Sequence, residues 1–147
     1  MKRQVLCRLA WCILLCPPML AIADQQGADS PVVIVSPQQT PPSVSTNALR
    51  AIFGMRLRNW PNQTPAHVFV LRDDNPTHSA FSKQILNIYP HQLRLAWDRL
   101  VFSGTGQAPT EVGSEEEMRQ QVAKTPGAIG YLPRSMVDDS VRVLQLQ

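Results

Sequence analysis

Between residues 32 and 146 the hydrophobic positions fall into short runs, helical stripes and alternations, and each pattern predicts an element. Val32–Val35 is a continuous apolar run, too short for a helix, and reads as a buried strand. Ser45 or Thr46 can cap a helix running to Phe53, with Leu49, Ile52 and Phe53 on one face and Gly54 as its stop. His67–Leu71 reads as a second strand. Thr77–Ile88 follows as a helix with Phe81, Ile85 and Ile88 on one face, broken by Pro90. From His91 to Val101, Leu93, Ala96, Trp97, Leu100 and Val101 give the full i, i+3, i+4, i+7, i+8 stripe of an amphipathic helix. Ser114 and Glu117 fit a capping box for a further helix, which Pro126-Gly127 ends, and Ala128–Leu132 reads as a strand. Residues 141–146, VRVLQL, read as a last strand whose apolar parity changes after Val143, as at a bulge or in a strand buried on both faces. Residues 36–43, 55–66 and 102–113 read as loops, the first stiffened by three prolines. The order β-α-β-α-α-α-β-β predicts an α/β fold, a small mixed sheet flanked by helices.

The N-terminus changes the reading of charge and cysteine content. Lys2, Arg3 and Arg8 form a basic head, Leu9–Ile22 is almost wholly apolar, and Ala21-Ile22-Ala23 is a small-x-small cleavage site. This order predicts a bacterial export signal over residues 1–23, cleaved after Ala23, and a periplasmic location. The apolar run is about 14 residues, short of the roughly 20 that a membrane span requires. Residues 24–31 are polar and predict a flexible N-terminal segment, leaving 32–147 as a single domain. Cys7, Cys12 and Cys16 all fall within the signal, so the mature chain has no thiol chemistry. Subtracting Lys2, Arg3 and Arg8 from the 14 basic residues leaves 11, equal to the 11 acidic residues. A neutral mature chain offers no electrostatic case for binding nucleic acid.

Catalytic patterns are lacking. His67, His78 and His91 have no metal-ligand spacing, and no nucleophile–base pair stands out, so the sequence predicts no metal, no cofactor and no enzyme. Ser103-Gly104-Thr105-Gly106 has neither the closing Gly-Lys-Ser/Thr of a phosphate loop nor the setting of a nucleophile elbow. Asp73-Asp74 are adjacent on an extended segment, point apart, and read as a solvated loop. The charge run Glu115–Glu117 reads as helix-start electrostatics. The segment that best suits a ligand is Arg72–Ser79, RDDNPTHS, between a strand end and a helix start. Arg72 supplies a fixed charge, Asn75 an amide, Thr77 and Ser79 hydroxyls, and His78 a pH-dependent donor. The same residues also fit an ordinary helix cap beside a surface arginine.

Residues 49–61, LRAIFGMRLRNWP, then Phe102-Ser103-Gly104-Thr105-Gly106 and Thr125–Tyr131, TPGAIGY, resemble in order the phosphate-type periplasmic substrate-binding proteins of ABC transporters. The resemblance spans residues 32–146 and is closest to short, single-lobe members. It implies a periplasmic-binding-protein-like lobe and an anion turn of the form Arg-x-x-x-Ser-Gly-Thr. Anchored on Phe81, Thr77 falls on the family threonine, Asn75 on the serine and Pro76 on the glycine, while Arg72 lies one residue too close. Proline removes a backbone donor there. The resemblance implies weak binding of phosphate or a similar anion at Arg72, Asn75, Thr77, His78 and Ser79. The alternative is an interaction module that has lost tight anion binding and docks on a membrane transporter or sensor, or forms a homodimer.

Overall fold

The computed structural model describes residues 29–147. The expected export signal, with its cysteines, and most of the polar segment 24–31 lie outside the described residues.

The apolar run forms strand β1, Pro31–Val35, one residue earlier than its pattern suggests, with proline tolerated as the first residue of the strand. The chain continues through β2 (Ser43–Val44), α1 (Thr46–Phe53), β3 (His67–Leu71) and α2 (Pro76–Phe81). A π-helical turn (Ser82–Leu86) runs on from α2, followed by α3 (Pro90–Phe102), β4 (Thr110–Val112) and α4 (Glu115–Lys124). β5 (Ala128–Pro133), a 3₁₀ turn (Arg134–Met136), β6 (Arg142–Val143) and β7 (Gln145–Leu146) complete it. The fold is α/β: a five-stranded mixed sheet in the order β4-β3-β5-β1-β6 with helices packed on it. β3 runs parallel to both β4 and β5, and β1 runs antiparallel to β5 and β6.

β5 shows how one strand serves two layers. Side chains alternate across a sheet. Tyr131 projects to one face, stacking on Phe81 with ring centroids 3.9 Å apart and tilting against Phe53 at 6.0 Å. Gly130 faces the other way, where a Cβ would meet Met118 and Val122 of α4. The missing side chain is what lets α4 lie close against the sheet. Because both faces are covered, β1, β3 and β5 are apolar along nearly their whole length. Two buried indoles lock the loops to this core: Trp97 Nε1 donates to the Phe53 carbonyl and Trp60 Nε1 to the Gly127 carbonyl, each at 2.8 Å.

Besides the two-residue β2, which no pattern marks, the structure departs from the hydrophobic pattern in three places. The Thr77–Ile88 helix ends its α-helical part at Phe81 and widens into the π turn. The buried pair is then Phe81 and Leu86, five residues apart as an i→i+5 turn requires, rather than Phe81 and Ile85. β4 lies in a stretch expected to be loop; it is an edge strand of three residues with a single buried side chain, Val112. The parity change in residues 141–146 is neither bulge nor two-faced burial. β6 pairs with β1, Leu144 donates its backbone N–H to the Val33 carbonyl, and β7 leaves to pair in parallel with β2. Arg142 ties the proline-rich loop to this crossing by donating to Thr40 and the Pro41 carbonyl.

Candidate functional site

β3 and β4 are parallel neighbours, with Leu71 opposite Val112, so their C-terminal ends lie side by side. The helices that follow, α2 and α4, therefore start at the same edge of the sheet, which is where open α/β sheets form crevices. Arg72, Asn75, Thr77, His78 and Ser79 are brought together here as one turn and the first turn of α2. The Asn75 N–H donates to the Arg72 carbonyl at 3.0 Å, closing the turn, and Ser79 N–H donates to the Asn75 carbonyl at 3.1 Å, opening the helix. Asn75 is the N-cap, its Oδ1 accepting from the Thr77 N–H at 2.7 Å, and Pro76 occupies the first helical position, where no N–H is required.

The polar groups of this turn already hold a carboxylate. Asn75 Nδ2 and Thr77 Oγ1 donate to the same oxygen of Glu115, at 3.1 and 2.8 Å. Burial pushes the Glu115 carboxyl up, but hydrogen bonds from Thr77, its own backbone N–H and Asn75 outweigh it and hold the group below the usual glutamate range. Glu115 thus does more than complement the α4 dipole. Ser114 caps α4 as expected, accepting from the Glu117 N–H at 3.1 Å, while Glu117 reaches past the cap residue to accept from the Gly113 N–H. Arg72 points outward, 64% exposed, and pairs with Asp74 at 3.3 Å. Ser79 is half-buried in α2.

His78 turns inward and is fully buried. The Leu71 N–H donates to Tyr131 Oη at 2.8 Å, and His78 Nδ1 lies 2.5 Å from the same oxygen. Hydrogen-bond accounting then has the Tyr131 hydroxyl donating to Nδ1, which leaves the imidazole proton on Nε2. That nitrogen has no hydrogen-bond partner and faces Asp73 Oδ1 at 3.7 Å. Burial pushes the imidazole below its ordinary value, opposed by the Asp73 charge. Asp73 is itself held below the usual aspartate range, first by its hydrogen bonds from Arg94. Arg94 grips it bidentately, both bonds at 2.8 Å, reaches Glu111 at 3.3 Å and covers the Trp97 ring. Asp73 thus anchors α3 to the turn while staying exposed in the loop after β3.

Glu115, Tyr131, Arg94 and Glu111 escape the sequence reading. All four depend on the β3–β4–β5 arrangement, and the signal that could reveal it, an edge strand at Thr110–Val112, is three residues long. Among the described residues no cluster of His, Cys, Asp and Glu has the arrangement of a metal site.

The fold and this edge define the class: an α/β lobe with a polar turn at the strand ends. Residues 24–143 match the model of the PBP superfamily domain, and the chain belongs to that family. No curated protein matches it in sequence. Among solved structures it is similar to an ABC-type phosphate transport receptor from Vibrio cholerae, at 16% identity and a TM-score of 0.62, covering 80% of this chain and 46% of the other. It is also similar to a putative phosphate ABC transporter substrate-binding protein with bound phosphate from Clostridium perfringens, at 20% identity and a TM-score of 0.61, covering 80% and 45%. PstS from Borrelia burgdorferi gives 18% identity and a TM-score of 0.60, covering 81% and 47%. The chain spans a little under half the length of each of these structures.

Proposed function

We propose that this chain is an extracytoplasmic, non-enzymatic solute-binding-type lobe whose turn at Arg72–Ser79 takes an oxyanion of the phosphate class weakly, in exchange for the carboxylate of Glu115. The observation that carries this reading is the pair of donations from Asn75 and Thr77 to one Glu115 oxygen. Two side-chain donors that converge on an internal anion can converge on an external one. The contacts fall to Asn75 and Thr77, with Arg72 and the Ser79 hydroxyl at the margin and His78 supporting the turn from below. The export signal expected at residues 1–23 and the phosphate proteins among the structural neighbours agree with this role.

Three features keep the affinity low. Pro76 offers no backbone donor. Arg72 is exposed and paired, so its charge is largely screened. Asp73, Asp74, Glu111 and Glu115 outnumber Arg72 and Arg94 around the turn. Titration calorimetry with inorganic phosphate tests the exchange. The protein as it stands binds in the millimolar range or weaker, Glu115→Ala binds about tenfold tighter, and adding Thr77→Ala to it removes the gain. If Glu115→Ala binds phosphate no better than the parent, the anion reading fails.

A second reading, a docking module for a membrane transporter or sensor, is favoured by one observation: Phe102, at the end of α3, is 86% exposed. Crosslinking in intact cells, alongside solution mass to detect a homodimer, tests it.

A further inference from the structure

α1 and the turn after it form one wall of an open groove, and α3 forms the other. Its volume is about 860 Å³. Ile88, Leu93, Ala96 and Leu100 supply an apolar floor, while Arg50, Arg56 and Arg99 enter from both walls. No carboxylate lines it, and none of the three arginines has an ion-pair partner among the described residues. Arg72, Arg94 and Arg119, by contrast, are each paired with one or two carboxylates. The groove thus brings together three arginines without ion-pair partners and no carboxylate among its lining residues.

The apolar surface runs from Phe102, which lines the groove, along α3 to Leu95 outside it. Leu95 is 51% exposed, and Phe102, seven residues on, is 86% exposed on the same side of α3, about 10 Å along the helix. The groove is also built in advance. Arg50 Nε donates to the Leu86 carbonyl at 2.7 Å, and Arg58 holds the loop after α3 by donating to the Thr105 carbonyl at 3.0 Å. A small amphiphile would fill the groove and leave Leu95 wet. A longer segment covers both, and arginines arriving from two walls suit several carboxylates rather than a single head group.

We propose that this groove is a docking site for an acidic amphipathic helix of a partner protein, with apolar side chains seated on the floor and against Phe102, and flanking carboxylates meeting Arg50, Arg56 and Arg99. The site shares no residue with the turn at Arg72–Ser79. It deepens the docking reading and is independent of the anion reading, so failure of one leaves the other standing.

The test uses the purified protein and a fluorescein-labelled peptide of about four helical turns, with leucine and phenylalanine on one face and glutamate on its flanks. Two controls accompany it, the same peptide with lysine for glutamate and a scrambled sequence of equal composition. Fluorescence anisotropy is expected to show micromolar binding of the acidic peptide, weakened by salt. The lysine and scrambled peptides should bind about tenfold more weakly or worse. Phe102→Ser should weaken the acidic peptide about tenfold, and Arg56→Glu with Arg99→Glu should reverse the charge preference. All three positions are exposed, so unchanged melting temperatures will separate lost binding from lost folding. Equal binding of acidic and lysine peptides, equal binding of the scrambled peptide, or no binding at all overturns the proposal. So does binding only to phosphatidylglycerol vesicles, which would make the groove a lipid contact. A Phe102-dependent rise in solution mass with concentration would instead assign it to a second copy of this chain.

Discussion

Tyr131 carries more of this structure than its place in an apolar strand suggests. Its ring stacks on Phe81, its oxygen accepts from the Leu71 backbone, and its hydroxyl donates to His78 Nδ1. Burial pushes the phenol far above its ordinary value, so it stays neutral and able to donate. Tyr131→Phe keeps the stacking but leaves a buried N–H and a buried imidazole nitrogen without partners. It should cost about 1–3 kcal/mol in urea unfolding, the usual penalty for stranding buried polar groups. The turn just before the same strand is equally constrained. Gly127 has φ +76°, and a Cβ there would run into the Pro65 carbonyl oxygen. Its own carbonyl accepts from Trp60 Nε1 and from the His67 N–H. Gly127→Ala should therefore lower stability by more than about 1 kcal/mol, read from the same unfolding curves. The Pro-Gly pair is a turn that clamps two loops to the sheet.

At the scale of elements, the patterns that were legible belong to segments with their own hydrophobic signature. Val32–Val35, Thr46–Phe53, His67–Leu71 and Ala128–Leu132 each bury a face or both faces, and burial writes itself into residue type. β2, β4, β6 and β7 run only two or three residues and take their identity from a neighbouring strand, which no local pattern encodes. The candidate turn was legible as a place, because a strand end followed by a capped helix is a local feature. Its chemistry was not. Glu115 lies 38 residues from Thr77 and reaches it only through the β3–β4 pairing. The π turn was hidden for a related reason: Ile85 and Leu86 are equally apolar, and packing in three dimensions chooses between them. Asn87 closes that turn in the left-handed region at φ 53°, where a residue with a Cβ is strained unless its side chain offsets the cost. Asn87→Gly should leave thermal stability nearly unchanged, while Asn87→Ala should lose about 1 kcal/mol. Equal melting temperatures for the two would mean that the left-handed geometry is not what fixes the end of the helix.

At the scale of the whole molecule, three depressed pKa values lie at one edge of the sheet and make stability a property of pH. His78 titrates below its ordinary 6.5 in the folded chain because burial disfavours the imidazolium. As pH falls past about 6.5, the unfolded chain takes up this proton before the folded chain does, so stability declines. Asp73, held down first by Arg94, and Glu115, where hydrogen bonds from Thr77, its own backbone and Asn75 overcome burial, also titrate below their ordinary values of 3.8 and 4.5. Their contribution is complete above those values and is lost as pH falls below them. The expected profile has two stages, one beginning near pH 6.5 and one near pH 4.5. Thermal melts at about pH 7.5, 5.5 and 3.5 separate them. His78→Gln should be less stable than the parent at the highest pH but nearly flat down to the middle one, since it removes the only buried imidazole among the described residues. Glu115→Gln should keep the first stage and shrink the second. A parent protein equally stable at the upper two pH values would show that the imidazole reaches water when protonated, and that the Tyr131–His78–Asp73 line is not closed. If His78→Gln instead flattens the upper stage, the inward-facing histidine of the turn is a structural residue, and external anions are left to Asn75 and Thr77.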